Sequence, residues 1–346
     1  MSENIHAIER RSFLKTGLVA TGVSSWLPAA MAAPKRDAAE VAIPTRPFGK
    51  TGHTLPILGM GGSAMVRLFS FAYGAGLLPL EERIAMVRHA YDSGIRYFDT
   101  ARVYGESESI VGRGLKGVRD QCYVATKMHF PSPDQVRKSL ETSLKQLDMD
   151  YVDCVQIHSP AIEKVGAMEA MKLHAELVKL RDEKMLRFIG LTTHVAFEDV
   201  LEMISTGGFD QVLLAYGYFR KGMDTMLSNR KIEYREMCLA KAHEQGMAIV
   251  AMKVMGANIF SHNAQKLVPD FDESALAKLP PAAIRWVLQD PRISLLNIGV
   301  SMPSDVDENL KTITGDLRYT EEDRELLAQF AARAYEAESI KKLAVT

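Results

Sequence analysis

The chain has 346 residues, 47% hydrophobic and 25% charged, with a formal net charge of −1. That apolar content supports a sizeable core and excludes a largely disordered polymer, and the near-zero charge offers no field for nucleic acid or an anionic membrane. Three cysteines, Cys122, Cys154 and Cys238, with no CxxC spacing, argue against a disulfide framework or cysteine metal cluster and are expected as buried, inert thiols.

The first 33 residues contain Glu9-Arg10-Arg11-Ser12-Phe13-Leu14-Lys15, a short apolar stretch from Thr16 to Trp26, and a small-residue site at Ala30-Met31-Ala32. A charged head, an apolar middle and a small-residue end in this order resemble a twin-arginine signal peptide, whose pathway carries folded proteins across the bacterial inner membrane. The resemblance implies engagement of the twin-arginine export machinery and a periplasmic location. The apolar stretch is shorter than the roughly 20 residues of a membrane span. No later segment is long and apolar enough, so no span is expected in the mature protein. Residues 34–45 read as a linker.

Arg46 to Pro56 reads as a hairpin turning at Lys50-Thr51-Gly52. Short apolar runs then alternate with longer amphipathic stretches. The runs are Ile57–Met60, Tyr97–Asp99, Tyr123–Lys127, Val152–His158, Phe188–Leu191, Val212–Tyr216, Ala248–Met252 and Leu295–Val300. Gly, Pro, Ser and Thr bound them, as in buried parallel strands. Helices are predicted over Leu80–Ser93, closed by Gly94, and over Pro133–Leu147, with Val136, Leu140, Leu144 and Leu147 on one face. Further helices are predicted over Glu163–Glu183, Glu198–Ser205, Ile232–Gln245, Pro281–Leu288 and Ser304–Thr312. Thr320, with Asp323 three residues on, starts a C-terminal helix. This alternation predicts an α/β fold: a closed (β/α)8 TIM barrel over residues 46–346, with an N-terminal β-hairpin and a C-terminal helix. An open doubly wound sheet would favour a GxGxxG fingerprint after the first strand, and Gly59-Met60-Gly61-Gly62-Ser63-Ala64 lacks that spacing.

Reacting groups of a barrel sit at the C-terminal ends of its strands. Asp99 closes the second predicted strand, and Tyr104 follows in the next loop. Lys127 closes the third strand and His158 the fourth. Singly, these side chains read as a helix cap, a solvated lysine or a core histidine. On consecutive strands their tips converge on one mouth. A phenol is a poor acid near neutrality, and an adjacent ammonium favours its phenolate. Asp99 is placed to hold Lys127, and His158 to orient a carbonyl oxygen. Such a site stabilises negative charge growing on that oxygen but holds no strong hydride donor, so a redox cofactor must supply the hydride.

The four residues resemble the Asp–Tyr–Lys–His tetrad of the aldo-keto reductase superfamily. The resemblance runs from about Arg46 to about Ala331. It includes Phe48-Gly49-Lys50-Thr51-Gly52, Phe98-Asp99-Thr100-Ala101, Ala283-Ile284-Arg285-Trp286-Val287-Leu288, and Ile298 to Pro303 followed by Asp307-Glu308-Asn309-Leu310. It implies reduction of an aldehyde or ketone, with NADP or NAD as cofactor and a small carbonyl compound as substrate. Tyr104 would be the general acid, Lys127 and Asp99 its modulators, and His158 the substrate orienter. It also implies cofactor contacts. Gly61 and Gly62 match positions near the nicotinamide ribose. Thr192, Thr193 and Gln211 match those holding the carboxamide. Tyr216 or Met252 would pack on the ring. Gly299, Val300 and Ser301 match the loop near the adenosine phosphate, and Glu308 and Asn309 the adenine contacts.

Some positions depart from the family pattern. Many NADPH-preferring members carry Lys or Arg where this chain has Gly299 and Asp305, which implies weakened NADPH preference unless Arg292 or Lys311 reaches the phosphate. Thr193-His194 and Met252-Lys253 resemble a branch that often carries a C-terminal iron–sulfur module. This chain has no cysteine after Cys238. The stretch Arg67 to Leu78 is expected to overhang the mouth and shape a hydrophobic pocket. A second reading keeps the barrel and nicotinamide binding but makes the protein regulatory, with little turnover; the intact tetrad favours an enzyme.

Overall fold

Eight parallel strands close on themselves in a computed structural model that describes residues 42–70, 76–129 and 132–346. The signal-like segment 1–33, linker residues 34–41, and residues 71–75 of the expected overhanging stretch lie outside the described residues. The chain enters through an antiparallel hairpin, β1 (Thr45–Pro47) and β2 (Thr54–Pro56). The barrel strands are β3 (Leu58–Gly61), β4 (Tyr97–Asp99), β5 (Tyr123–Met128), β6 (Val152–Ile157), β7 (Leu186–Thr193) and β8 (Gln211–Ala215). After a two-residue strand, β9 (Thr225–Met226), come β10 (Ala248–Met252) and β11 (Leu295–Gly299). Their order around the barrel is β10-β11-β3-β4-β5-β6-β7-β8, and pairing of β8 with β10 closes it. A final strand, β12 (Ala344–Val345), pairs with β9.

Helices α1 (Arg67–Ser70), α2 (Leu80–Asp92), α3 (Ser107–Gly114), α4 (Val136–Leu147), α5 (Ser159–Asp182), α6 (Phe197–Ser205) and α7 (Asn229–Glu244) follow the strands in turn. Then come α8 (Ala264–Leu267), α9 (Glu273–Leu276), α10 (Leu279–Leu288), α11 (Pro303–Ile313), α12 (Glu321–Glu336) and α13 (Glu338–Lys341). All eight predicted strands are present, to within about two residues at each end. Helix α5 begins four residues earlier than predicted and is broken at Gly166, where φ is +75°. Thr320 caps α12: its hydroxyl accepts from the Asp323 amide, and Asp323 accepts from the Thr320 amide in return.

Helix α3 has no counterpart among the predicted elements. Gly112 and Gly114 disguise it, because glycine is a poor helix former. Both are required by close packing. A Cβ on Gly112 would lie 2.0 Å from the Leu147 carbonyl oxygen, and one on Gly114 2.6 Å from Val87 Cβ.

Strand alternation turns every second side chain inward. The inner core joins Tyr97, Tyr123, Cys154, Leu213, Val250 and Leu295, with Phe48 and Leu55 of the entry hairpin closing the N-terminal end. Gly49, at φ +54°, lets the hairpin approach β10: a Cβ there would lie 2.2 Å from the Ala248 nitrogen. The larger apolar core lies between strands and helices. All three cysteines are buried and unpaired, as expected. No helix among the described residues is long and apolar enough to cross a membrane.

Candidate active site

Beside this apolar core the barrel interior carries a hydrogen-bonded polar layer. Asp99 ends β4, and its carboxylate forms a buried ion pair with the Lys127 ammonium. Lys127 also donates to the Thr100 carbonyl at 2.8 Å. The Gln156 amide donates to the other Asp99 oxygen at 2.8 Å, and Asn297 donates to Asp99 at 3.2 Å. The Gln211 amide nitrogen donates to the Tyr97 hydroxyl at 2.9 Å and to Gln156 at 3.1 Å. Each member is at least nine-tenths buried. A buried charge survives only if paired and hydrogen-bonded, and this network supplies both. Gln156 and Asn297 did not stand out in the sequence, because amide side chains carry no chemistry of their own. Their signal was a polar residue inside an apolar strand run.

Tyr104 stands over this layer, with Lys127 Nζ 4.9 Å from its ring centroid. Its ring meets that of His158 edge-on, centroids 5.9 Å apart. His158 ends the turn between β6 and α5, and its amide donates to the Met128 carbonyl at 3.1 Å. The four tetrad positions therefore meet at the C-terminal end of the barrel. Burial pulls the Lys127 ammonium below its ordinary value, while Asp99 resists. Burial, then Lys127, His194 and His129, push His158 well below the usual imidazole range, so the ring is neutral near pH 7. A second buried carboxylate, Glu108 on α3, accepts from Thr126 at 2.7 Å and lies 3.7 Å from Arg102.

The remaining expected contacts divide by position. Gly61 and Gly62 flank the polar layer. A Cβ on Gly61 would lie 3.2 Å from Asn297 Oδ1, and one on Gly62 2.5 Å from Ser107 Oγ, so packing alone requires glycine at position 62. The Thr192 hydroxyl accepts from the Ser159 amide at 2.9 Å and keeps its own proton to donate. Thr193 Oγ1, Gln211 Oε1 and Asn297 Oδ1 are buried with no hydrogen-bond partner among the described residues. Leftover acceptors of this kind suit the amide protons of a nicotinamide carboxamide. Met252, half-buried, packs against the barrel interior. Tyr216 lies elsewhere: its hydroxyl donates to Asp290 at 3.0 Å and its ring stacks on Trp286. One residue past the inward-facing Ala215, it points out of the barrel, and Met252 is the candidate that faces the mouth.

Gly299, Val300 and Ser301 lead from β11 into α11, where Asn309 is buried and Glu308 exposed. Asp305 turns back onto this loop. Its carboxylate accepts from the amides of Ser301 and Met302 at 2.7 and 3.0 Å and pairs with His262 at 3.0 Å. Burial alone would raise the Asp305 carboxyl; His262 and the two amides hold it below its ordinary value. Arg292 precedes β11 and is committed to Asp290 and Glu236, so it does not reach this loop. Among the described residues no group of His, Cys, Asp and Glu is arranged to hold a metal ion.

Residues 68–331 match the aldo/keto reductase family profile. The chain is 28% identical over 318 residues to L-galactose dehydrogenase of Arabidopsis thaliana, covering 84% of this chain and 94% of that protein. It is 26% identical over 279 residues to aldo-keto reductase YhdN of Bacillus subtilis (strain 168), covering 70% and 82%. The holo form of aldo-keto reductase AKR11C1 from Bacillus halodurans superposes with a TM-score of 0.63 at 18% identity, over 83% of this chain and 96% of that one. That likeness is one of fold.

Proposed function

The chain belongs to the aldo/keto reductase family, whose members are oxidoreductases that generally reduce carbonyls with NAD(P)H, and from that premise we propose that it reduces an aldehyde or ketone with Tyr104 as proton donor. The observation that carries this reading is the Lys127 ammonium, buried on Asp99 and 4.9 Å from the Tyr104 ring.

A nicotinamide cofactor, when bound, supplies the hydride. Thr192, Thr193 and Gln211 would hold its carboxamide and Met252 its ring. The other roles fall to the chain. Neutral His158 donates an N–H to the carbonyl oxygen and sets its tilt. Tyr104 gives that oxygen a proton as negative charge develops on it. Lys127 stabilises the phenolate left behind. Asp99 fixes Lys127, while Gln156 and Asn297 keep Asp99 from turning away. Tyr104→Phe should lower kcat by roughly 10²–10⁴ while leaving NADH binding intact. Equal turnover by the variant would sink the assignment.

We infer that NADH is preferred over NADPH. Asp305 supplies the loop before α11 with a carboxylate of its own, and a second anion there meets both repulsion and occupied amides. We also infer export by the twin-arginine route, with nucleotide loaded before translocation. Fractionation of cells expressing wild-type and Arg10→Lys/Arg11→Lys protein tests this; equal periplasmic amounts of both would refute it.

A further inference from the structure

The loop after β8, helices α7, α10 and α12 and the chain's end enclose a cavity of about 840 Å³ that no tetrad residue lines. That size is typical of a small-molecule site. Helix α12 leaves the space by facing it with the short side chains Ala328, Ala331 and Ala332, while Leu327 and Phe330 of the same helix fill the core. The walls are largely aromatic. Trp286, Tyr218 and Tyr335 line them, each half-buried. The Trp286 ring stacks on Tyr216 with centroids 5.3 Å apart and meets Tyr218 edge-on at 5.7 Å.

The charge lining this cavity has one sign. Among the described residues Arg220, Arg235 and Lys341 line it, and no Asp or Glu does. Arg220 donates to Asn229, a neutral partner, at 2.7 Å, and Lys341 pairs with Glu336 at the surface. Arg235 sets the chemistry. It is 6% exposed, and its Nε has no hydrogen-bond partner among the described residues. One Nη donates to Glu236 at 3.2 Å, and that carboxylate is shared with Arg292. A buried donor left without an acceptor is costly. A guanidinium presents its donors as a planar fork suited to a carboxylate. The Arg235 guanidinium lies 4.8 Å from the Tyr216 ring centroid, so cation and Trp286 face meet through one ring. A phosphate would leave the aromatic walls unused, and a neutral aromatic would leave Arg235 unanswered.

We propose that this cavity binds an organic monocarboxylate with an apolar body. The carboxylate sits on Arg235, Arg220 and Lys341 add to the positive field, and the body lies against Trp286 and Tyr218. The ligand is a second one, bound beside whatever occupies the barrel mouth.

Calorimetric titration of the full chain with benzoate, octanoate and their amides, with and without saturating NADH, tests this. The acid should bind roughly tenfold more tightly than its uncharged amide, and Arg235→Gln should weaken the acid roughly tenfold, the worth of one charge-assisted contact. Ala332→Phe fills the cavity from an exposed position on α12 and should abolish binding, with Tm confirming that each variant folds. In Trp26→Phe protein Trp286 is the one remaining tryptophan, and its fluorescence should change on binding. Tighter binding of benzoate assigns an aromatic body, tighter binding of octanoate an aliphatic one. NADH should leave the affinities unchanged. Four outcomes overturn the proposal: no binding of either acid, equal binding of acid and amide, binding undiminished in folded Arg235→Gln or Ala332→Phe protein, or binding blocked by NADH.

Discussion

Lys253→Met should make the protein more stable at pH 7, although it removes a half-buried residue of the mouth. Burial and the neighbouring Lys221 bring this ammonium from its ordinary 10.5 to about 8, against the pull of Asp224. His194 adds no charge, because its own ring is held neutral. At about 1.4 kcal/mol per pKa unit, keeping the folded-state lysine charged costs about 3 kcal/mol relative to the unfolded chain. Water entry and side-chain relaxation reduce this, so the expected gain is about 1–3 kcal/mol. For a domain of this size that is a rise of roughly 2–4 °C in Tm per kcal/mol. Met keeps the same left-handed backbone, so the strain at φ +63° cancels in the comparison.

The pH dependence fixes the cause. The folded lysine gives up its proton near pH 8 and the unfolded one near 10.5. Between those values the unfolded chain binds more protons, so wild-type stability rises with pH. The advantage of the Met variant is therefore full below pH 8 and fades toward 10.5. Urea unfolding of both proteins at pH 7 and pH 10 measures it. A Met variant that is less stable at pH 7, or a gap equal at both pH values, would refute the reasoning.

Other outcomes follow from the same geometry. Asp305→Ala frees the Ser301 and Met302 amides and His262, so fluorescence titration should show NADPH affinity rising roughly tenfold with NADH little changed. Gln156→Leu leaves the buried Asp99 carboxylate one donor short; unfolding should show a loss of about 1–3 kcal/mol, and kcat should fall because Lys127 loses its fixed partner. The His262 ring is raised above 6.5 by Asp305, so their pairing is fully present below that pH and is lost as pH climbs through the folded value. His262→Ala should accordingly destabilise by up to about 1 kcal/mol at pH 5.5 and by less at pH 8.5 in thermal melts.

Much of the barrel was legible before its structure. The strand runs are short, apolar and bounded by turn residues, and burial on both faces demands that pattern of a parallel strand. The tetrad was legible for a related reason: a polar or charged residue at the end of such a run has few ordinary uses. Helix α3 was not, because its buried face carries only Ile110 and Val111 as apolar side chains beside Ser107, Glu108 and two glycines, whose value lies in what they touch. Tyr216 was misplaced by one residue of alternation, since a strand end read from sequence carries that uncertainty and each step reverses the face.

The sequence by itself determined the period of the elements, hence the fold, and the order of Asp99, Tyr104, Lys127 and His158 along the strand tips. Those features are local, set by side-chain pattern within a few residues. Only the tertiary structure decided that Gln156, Gln211 and Asn297 brace the Asp99–Lys127 pair, that Asp305 closes the loop before α11 from within, and that Lys221 and Lys253 share one corner of the mouth. The first and last of these join residues from separate strands or loops, and Asp305, local to Ser301 and Met302, is held there by the distant His262. Strand register and close loop contact select such pairs, and neither is encoded within any one segment.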